Sequence, residues 1–284
     1  MVDRSANVGY CQAPNDIYIA RAALHQWEEP CISGENGSGT VFFSFCPLKC
    51  VYCQNYSLSH ENKGTKISIE KLAEIFIDLQ NQKAHNINLV TPTHYSLQIL
   101  EALKIAKSNG LTIPIVYNTS GYENVETLKK LDGYVDIYLP DFKYFSNTLA
   151  QKYSGVSNYF EIATDALKEM FRQIGEFSID EQGIIRRGMI VRHLVLPGYT
   201  NDSKNVISHI YDIFRDKIYI SIMNQYTPLA HVKNFPEINR KVTDSEYDDV
   251  IDFALSLGIE NAFIQEGETA KESFIPDFNE KTIF

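Results

Sequence analysis

Phe45-Cys46-Pro47-Leu48-Lys49-Cys50-Val51-Tyr52-Cys53-Gln54-Asn55 places three thiols within eight residues, directly after an apolar run at 41–46. Three thiolates at this spacing meet at one centre only if the backbone wraps around it. Soft sulfur ligands select iron–sulfur clusters or zinc over hard cations. Three ligands leave one iron of a [4Fe–4S] cluster without a protein ligand, whereas a structural zinc takes four. Cys11 or Cys31 folding back would supply the fourth, so on spacing alone a non-catalytic, zinc-stabilised binding module stays open. A redox dithiol fits less well, because Cys50 and Cys53 do not open a thioredoxin-like helix.

Outward from this loop, the chain alternates between short apolar runs and amphipathic stretches. The runs at 41–46, 87–91, 113–118, 135–143, 189–196 and 218–226 are short, mainly apolar or β-branched, and bounded by turn residues, as buried parallel strands are. Ile69, Leu72, Ile75, Phe76 and Leu79 share a helical face after a Ser68 N-cap. Leu97, Leu100 and Leu103 share another, ended by Gly110. Crossover helices are expected at 123–131 and 202–214. The longer insert at 144–187 holds one or two helices, the clearest over 159–174, and an exposed turn at 180–183. A late helix at 244–257 precedes a strand at 262–265.

Six βα units in a row imply a parallel sheet, either an open doubly wound one or a barrel. The ends of the strands favour the barrel. Each carries polar chemistry at its C-terminal end: Cys46, residues 91–94, Asn118 and Ser120, Asp141 and Lys143, Arg192 and His193, Asn224 and Gln225. A barrel builds its active site from that rim. The expected fold is therefore α/β, a partial (β/α)6 barrel of TIM type at 39–284 with a C-terminal helix and strand, behind an N-terminal extension at 1–38.

Composition narrows the function. The chain has 284 residues, 44% apolar and 22% charged, with 26 basic against 36 acidic side chains and a net charge of −10. That balance speaks against a nucleic-acid partner, which asks for a basic footprint. Residues 1–15 lack the apolar core of a signal peptide, and no window is apolar enough to span a bilayer, so no membrane role is expected. Five cysteines, an odd number, do not read as a disulfide framework. They fit a reducing cytoplasm, where clustered thiols are metal ligands or redox groups.

Cys-x3-Cys-x2-Cys with an aromatic, Tyr52, before the last cysteine resembles the signature of the radical S-adenosylmethionine (SAM) enzymes. That resemblance implies that Cys46, Cys50 and Cys53 hold a [4Fe–4S] cluster whose open iron is chelated by the methionine part of SAM. One electron then yields a 5′-deoxyadenosyl radical, which abstracts a substrate hydrogen. From about residue 39 to 229 the chain is most similar to the activating enzymes of glycyl radical enzymes, such as the pyruvate formate-lyase activating enzyme, and to an uncharacterised branch related to them. Residues 118–122 (Asn-Thr-Ser-Gly-Tyr), 141–143 (Asp-Phe-Lys) and 192–198 (Arg-His-Leu-Val-Leu-Pro-Gly) resemble that group's later strand ends. The partners implied are an electron donor such as flavodoxin or ferredoxin and, as substrate, a glycyl radical enzyme; a small molecule or another macromolecule is the alternative.

The residues also carry their own reading. Asn118 and Ser120 offer compact donors and acceptors for a ribose or carboxylate. Asp141 and Lys143, two apart, share one face of a strand and either pair with each other or meet a zwitterionic ligand. Arg192 can clamp a carboxylate; His193, beside it, points to the opposite face and reads as a core residue. The second strand end departs from the family pattern. Where a Gly-Gly-Glu-like turn meets the cofactor's amino group, this chain has Thr91-Pro92-Thr93-His94, with no carboxylate. Thr91, Thr93 and His94 are candidates for cofactor contact there, as is Asn224 at the sixth strand end. His25 and Trp27 read first as packing residues, and Cys11 and Cys31 as plain thiols.

Overall fold

A computed structural model describes residues 9–265. The outer ends of the two expected segments, 1–8 and 266–284, lie outside the described residues. Ten strands form: β1 (Ile17–His25), β2 (Ser38–Phe43), β3 (Thr65–Ile67), β4 (Ile87–Val90), β5 (Ile115–Thr119), β6 (Ile137–Pro140), β7 (Ser178–Ile179), β8 (Ile185–Leu194), β9 (Tyr219–Met223) and β10 (Ala262–Ile264). Their order is β10-β9-β8-β6-β5-β4-β2-β1-β3, with β7 as a hairpin partner of β8. The arc β2-β4-β5-β6-β8-β9 is parallel throughout and corresponds to the six runs read from the sequence. β10 extends it in parallel, while β1 adds to β2 antiparallel and β3 to β1. This is a partial (β/α)6 barrel of TIM type.

Near-continuous apolar strands arise because both faces of the sheet are covered. Leu89, Tyr117, Tyr138 and Val191 point outward into the main core, where the crossover helices pack. Their alternates Val116, Ile137, Leu139 and Ile190 point into the lumen and form a second cluster with Cys31 and Ile32. Those last two lie on a one-turn helix, Pro30–Ser33, that plugs the barrel from the N-terminal arm. Period-two alternation thus decides which residues of each strand can serve a site.

Crossover helices lie at Ile69–Asn81, Ser96–Ser108, Val125–Lys130, Tyr159–Ile174 and Thr200–Phe214. The first is capped as expected, with Lys71 N–H donating to Ser68 Oγ at 3.1 Å. In the second, Leu97 is 42% exposed, against the expectation that it shares a buried face with Leu100 and Leu103. The buried stripe is centred on Ile99, Leu103 and Ala106, and Leu97 falls on the far side of the helix. Helix Asn147–Ser154 is the second helix of the insert at 144–187, while strands β1 and β3 had no counterpart in the pattern reading. No helix of the described residues is long and apolar enough to cross a membrane.

Candidate active site at the barrel mouth

After β2 the chain turns sharply at Phe45, whose φ of 71° lies in the left-handed region that side chains disfavour. The turn throws Cys46 inward, and the loop then closes over the barrel mouth. Val51 N–H donates to the Tyr153 carbonyl at 2.8 Å, and Gln54 Nε2 to the Gln225 carbonyl just past β9 at 2.8 Å. The loop therefore bridges the two ends of the arc. Cys46, Cys50 and Cys53 all line one cavity of about 440 Å³ that runs from this rim into the lumen.

Each sulfur has a polar neighbour. Leu48 N–H donates to Cys46 Sγ at 3.4 Å, Ser59 Oγ to Cys53 Sγ at 3.2 Å, and Ser154 Oγ lies 2.9 Å from Cys50 Sγ. Ser154 belongs to a hydroxyl chain: Tyr52 OH is 2.6 Å from Tyr144 OH, which is 2.7 Å from Ser154 Oγ. Burial raises all three thiols, Cys53 to about 11, and neighbouring sulfurs push Cys46 and Cys53 up further. Lys143 works in the other direction on each. Three thiolates cannot share this space uncompensated, so the donor set calls for a multiply charged cationic centre. Among the described residues no three His, Cys, Asp or Glu side chains gather tightly enough to hold a single metal ion.

The other strand ends complete the rim. Thr91, with φ 60°, follows β4 and lines the cavity. Ser120 lines it after β5, and its buried Oγ has no hydrogen-bond partner among the described residues. Gly121 (φ 76°) lets that turn close on the Asp141 carbonyl, where a Cβ would collide. Asp141 Oδ2 accepts from Lys143 Nζ at 2.6 Å, and Asp141 Oδ1 from Arg192 Nε at 3.0 Å. Burial opposes ionisation of Asp141, but Lys143 and Arg192 outweigh it and hold the carboxyl below its ordinary range.

Below the rim lies a polar floor that the sequence reading did not anticipate. Glu28, at the end of the N-terminal arm, enters the lumen between β4, β5 and β8. Its Oε1 accepts from Asn88 Nδ2 at 3.0 Å and Asn118 Nδ2 at 3.3 Å, and its Oε2 from Arg192 Nη1 at 3.0 Å. Arg192 Nη2 donates to Asn118 Oδ1 at 2.6 Å, so the guanidinium is used on every side. Glu29 also lines the cavity, 9% exposed, and its Oε2 has no hydrogen-bond partner among the described residues. A buried acceptor left without a donor costs about 1–3 kcal/mol. Burial raises the Glu29 carboxyl above its usual range against the pull of Arg192.

The structure brings Cys46, Cys50, Cys53, Tyr52, Thr91, Asn118, Ser120, Asp141, Lys143 and Arg192 to one cavity. Thr93, His94 and Asn224 do not line it. After Pro92 the chain enters a 3-10 turn, Thr93–Tyr95, which carries both side chains behind the sheet. His94 Nε2 sits 2.6 Å from the Ser44 carbonyl, and Thr93 Oγ1 donates to Glu123 Oε1 at 2.5 Å. Asn224 follows β9 on the wrong phase: Ser221, Met223 and Gln225 face the cavity, and Asn224 alternates away. His193 is buried on the outer face between the Phe142 carbonyl (2.7 Å) and Ser203 Oγ (2.9 Å). His25 and Trp27 both border the cavity, Trp27 with 60% of its surface exposed. Glu28 and Glu29 were missed because the only signal is a pair of carboxylates before a proline, Glu28-Glu29-Pro30, in a segment without periodicity.

Comparison with known proteins agrees with this geometry. A relative in Methanocaldococcus jannaschii, the uncharacterized protein MJ0674, is 31% identical over 262 residues, 89% of this chain and 71% of that one. Among solved structures, Streptococcus suis SuiB bound to S-adenosylmethionine superposes with a TM-score of 0.53 at 17% identity, over 78% of this chain and 48% of that one. The FeFe-hydrogenase maturase HydG from Carboxydothermus hydrogenoformans also gives 0.53, at 12% identity, over 81% and 54%. The chain spans about half the length of these two structures, and at such identities the likeness is one of fold. The family model of the radical SAM superfamily matches residues 40–210, from β2 into the helix after β8. With that match over more than half of its length, and three cysteines on a loop after the first barrel strand that share a cavity with an orphaned hydroxyl, the chain belongs to the radical SAM superfamily, and its cofactors are a [4Fe–4S] cluster and SAM.

Proposed function

We propose that this radical SAM enzyme takes a hydrogen atom from a small polar substrate bound in the lumen, between the cysteine loop and the Glu28–Arg192 floor. The bound cofactors supply the chemistry, a one-electron reductive cleavage of SAM that yields a 5′-deoxyadenosyl radical. The protein's part is to hold, orient and exclude water. Cys46, Cys50 and Cys53 are the cluster ligands. Ser120 and Thr91 offer oxygens to SAM at the rim, and Asp141 with Lys143 presents a charge pair suited to its zwitterionic end. Tyr52 backs the cluster loop. Thr93, His94 and Asn224 act behind the sheet, fixing the turns that carry the contact residues.

The observation that carries the substrate reading is the floor. A charged, hydrogen-bonded lattice buried in the lumen is costly to build unless a polar ligand meets it. The activase reading, in which the hydrogen comes from a backbone glycine of a glycyl radical enzyme, keeps the support of the motifs at 118–122, 141–143 and 192–198. An electron donor of flavodoxin or ferredoxin type, and a reducing cytoplasmic setting, follow from a cluster with an open iron. The test is anaerobic reconstitution followed by addition of SAM and dithionite. About four irons per chain and release of 5′-deoxyadenosine are expected; a reconstituted protein that forms none overturns the enzyme reading. Adding a glycyl radical enzyme and finding its radical by EPR would replace the small-substrate reading with the activase one.

A further inference from the structure

The unused oxygen of Glu29 lies where a substrate must be read. Glu29 precedes the plug helix Pro30–Ser33 and occupies its N-cap, yet its carboxylate makes no capping bond. It turns instead into the lumen. Its neighbour Glu28 is saturated by Asn88, Asn118 and Arg192, and the Arg192 guanidinium is in turn consumed by Glu28, Asn118 and Asp141. Lys143 is held by Asp141. The cavity thus carries three acids, Glu28, Glu29 and Asp141, against two cations, Lys143 and Arg192. The cations are spoken for, and the remaining acid has a free acceptor.

Depth separates this oxygen from the cofactor. Arg192, which Glu28 holds, is in register with Ser221 in the middle of β9, four residues before Gln225, which the cysteine loop touches. At ~3.3 Å per residue that is about 13 Å of strand between the level of Arg192 and the loop contact, and Glu29 follows Glu28 on the same arm. A cofactor amino group that chelates the open iron stays at the level of the cysteines. A group meeting Glu29 has to belong to something deeper.

We propose that Glu29 is the recognition residue for a protonated amine on the substrate, so that the enzyme acts on amine-bearing molecules. This rests on the radical SAM reading above and names the substrate class of that site. An ammonium supplies the donor that Oε2 lacks and balances the excess acid. A neutral alcohol supplies only the donor, and a carboxylate supplies neither.

The test uses the anaerobically reconstituted, SAM-loaded protein and three small probes of equal length: n-butylammonium, butan-1-ol and butyrate. Calorimetric titration should show n-butylammonium binding about tenfold tighter than the alcohol, with butyrate weakest. Glu29→Gln should remove the difference between amine and alcohol. The idea is overturned if the alcohol binds as well as the amine, if butyrate is preferred, or if the amine preference survives in Glu29→Gln. Should that variant fail to fold, the comparison of the three probes on the unaltered protein decides alone. SAM binding is followed separately by the change it causes in the cluster EPR spectrum. If Glu29→Gln loses that change along with the amine preference, the carboxylate serves the cofactor and the proposal falls. Formation of 5′-deoxyadenosine without any amine preference would sink this inference and leave the enzyme reading standing.

Discussion

The rim and the floor of the cavity are built by different kinds of sequence. The rim comes from the cysteine loop and the strand ends between residues 45 and 143, within the stretch the family model matches, where Thr91, Ser120 and Asp141 each sit one residue past a strand. The floor joins two parts of the chain: the arm at residues 17–33, ahead of that stretch, pairs β1 with β2 and dives into the lumen at Glu28, where it meets Asn88, Asn118 and Arg192 from within the stretch. Rim residues depend on the cofactors for their partners: Ser120 Oγ is orphaned, and three thiols crowd one another. Floor residues depend on each other, with Glu28, Arg192, Asn118 and Asn88 closing a hydrogen-bonded lattice. The residues that await the cofactors are therefore at the top of the barrel, and a self-satisfied charge lattice tied to the arm lies below them.

The largest effect that would break this division is at the rim. Losing a partner around a metal ligand typically costs 10–100-fold, so losing a ligand itself should exceed ~100-fold. Cys46→Ala is expected to fall below a full cluster by iron analysis and to lose 5′-deoxyadenosine formation by more than that factor. Full iron content in Cys46→Ala would mean that the thiols do not hold the cluster. Next comes the floor. Arg192→Met strips the partner from Glu28 and from one oxygen of Asp141 in a buried setting, which should cost about 3–5 kcal/mol in urea unfolding. A change under ~1 kcal/mol would show that the lattice is wet and open rather than structural.

A third prediction concerns the hinge between two rim turns. Glu123 accepts from Thr93 Oγ1 at 2.5 Å and, at closer range, from Thr119 Oγ1, tying the turn after β4 to the end of β5. Burial raises its carboxyl from 4.5 to about 7, its hydroxyl neighbours offsetting only part of this. A group whose folded pKa is raised contributes its full share below the unfolded value and loses it as pH climbs through the folded one. Wild-type stability should therefore fall by about 3 kcal/mol more than that of Glu123→Gln between pH 4.5 and 7. Parallel pH profiles for the two proteins would show that Glu123 is ionised and solvated.

What the sequence made legible follows the same division. Strands β2, β4, β5, β6, β8 and β9 announce themselves because burial on both faces leaves unbroken apolar runs, and the cysteine spacing is short enough to read directly. Thr93, His94 and Asn224 were placed at the right strand ends but on the wrong side. Proximity to a strand end says nothing about phase once a 3-10 turn or one residue of alternation intervenes. The arm was illegible for another reason. β1 pairs with β2 at the edge of the arc, with six of its nine residues only partly buried, so neither period is clean. The meaning of Glu28 depends on Arg192, 164 positions away, which no local pattern encodes.

The smallest expected effect tests whether the scaffold behind the rim reaches the cluster electronically. Ser154 ends helix Asn147–Ser154, whose bounds no sequence pattern marks, and its hydroxyl lies 2.9 Å from Cys50 Sγ. Tyr144 and Tyr52 continue the chain away from the sulfur, which leaves the Ser154 proton available to donate to a thiolate. Hydrogen bonds to cluster sulfurs favour the reduced, more negative state and raise the potential. Ser154→Ala should shift the cluster to more negative potential in an EPR-monitored titration, while costing only about 1 kcal/mol in stability. Iron content should stay full, because no ligand is touched. An unchanged potential would mean that the hydroxyl points its proton at Tyr144 instead, and that the rim is tuned by its own loop alone.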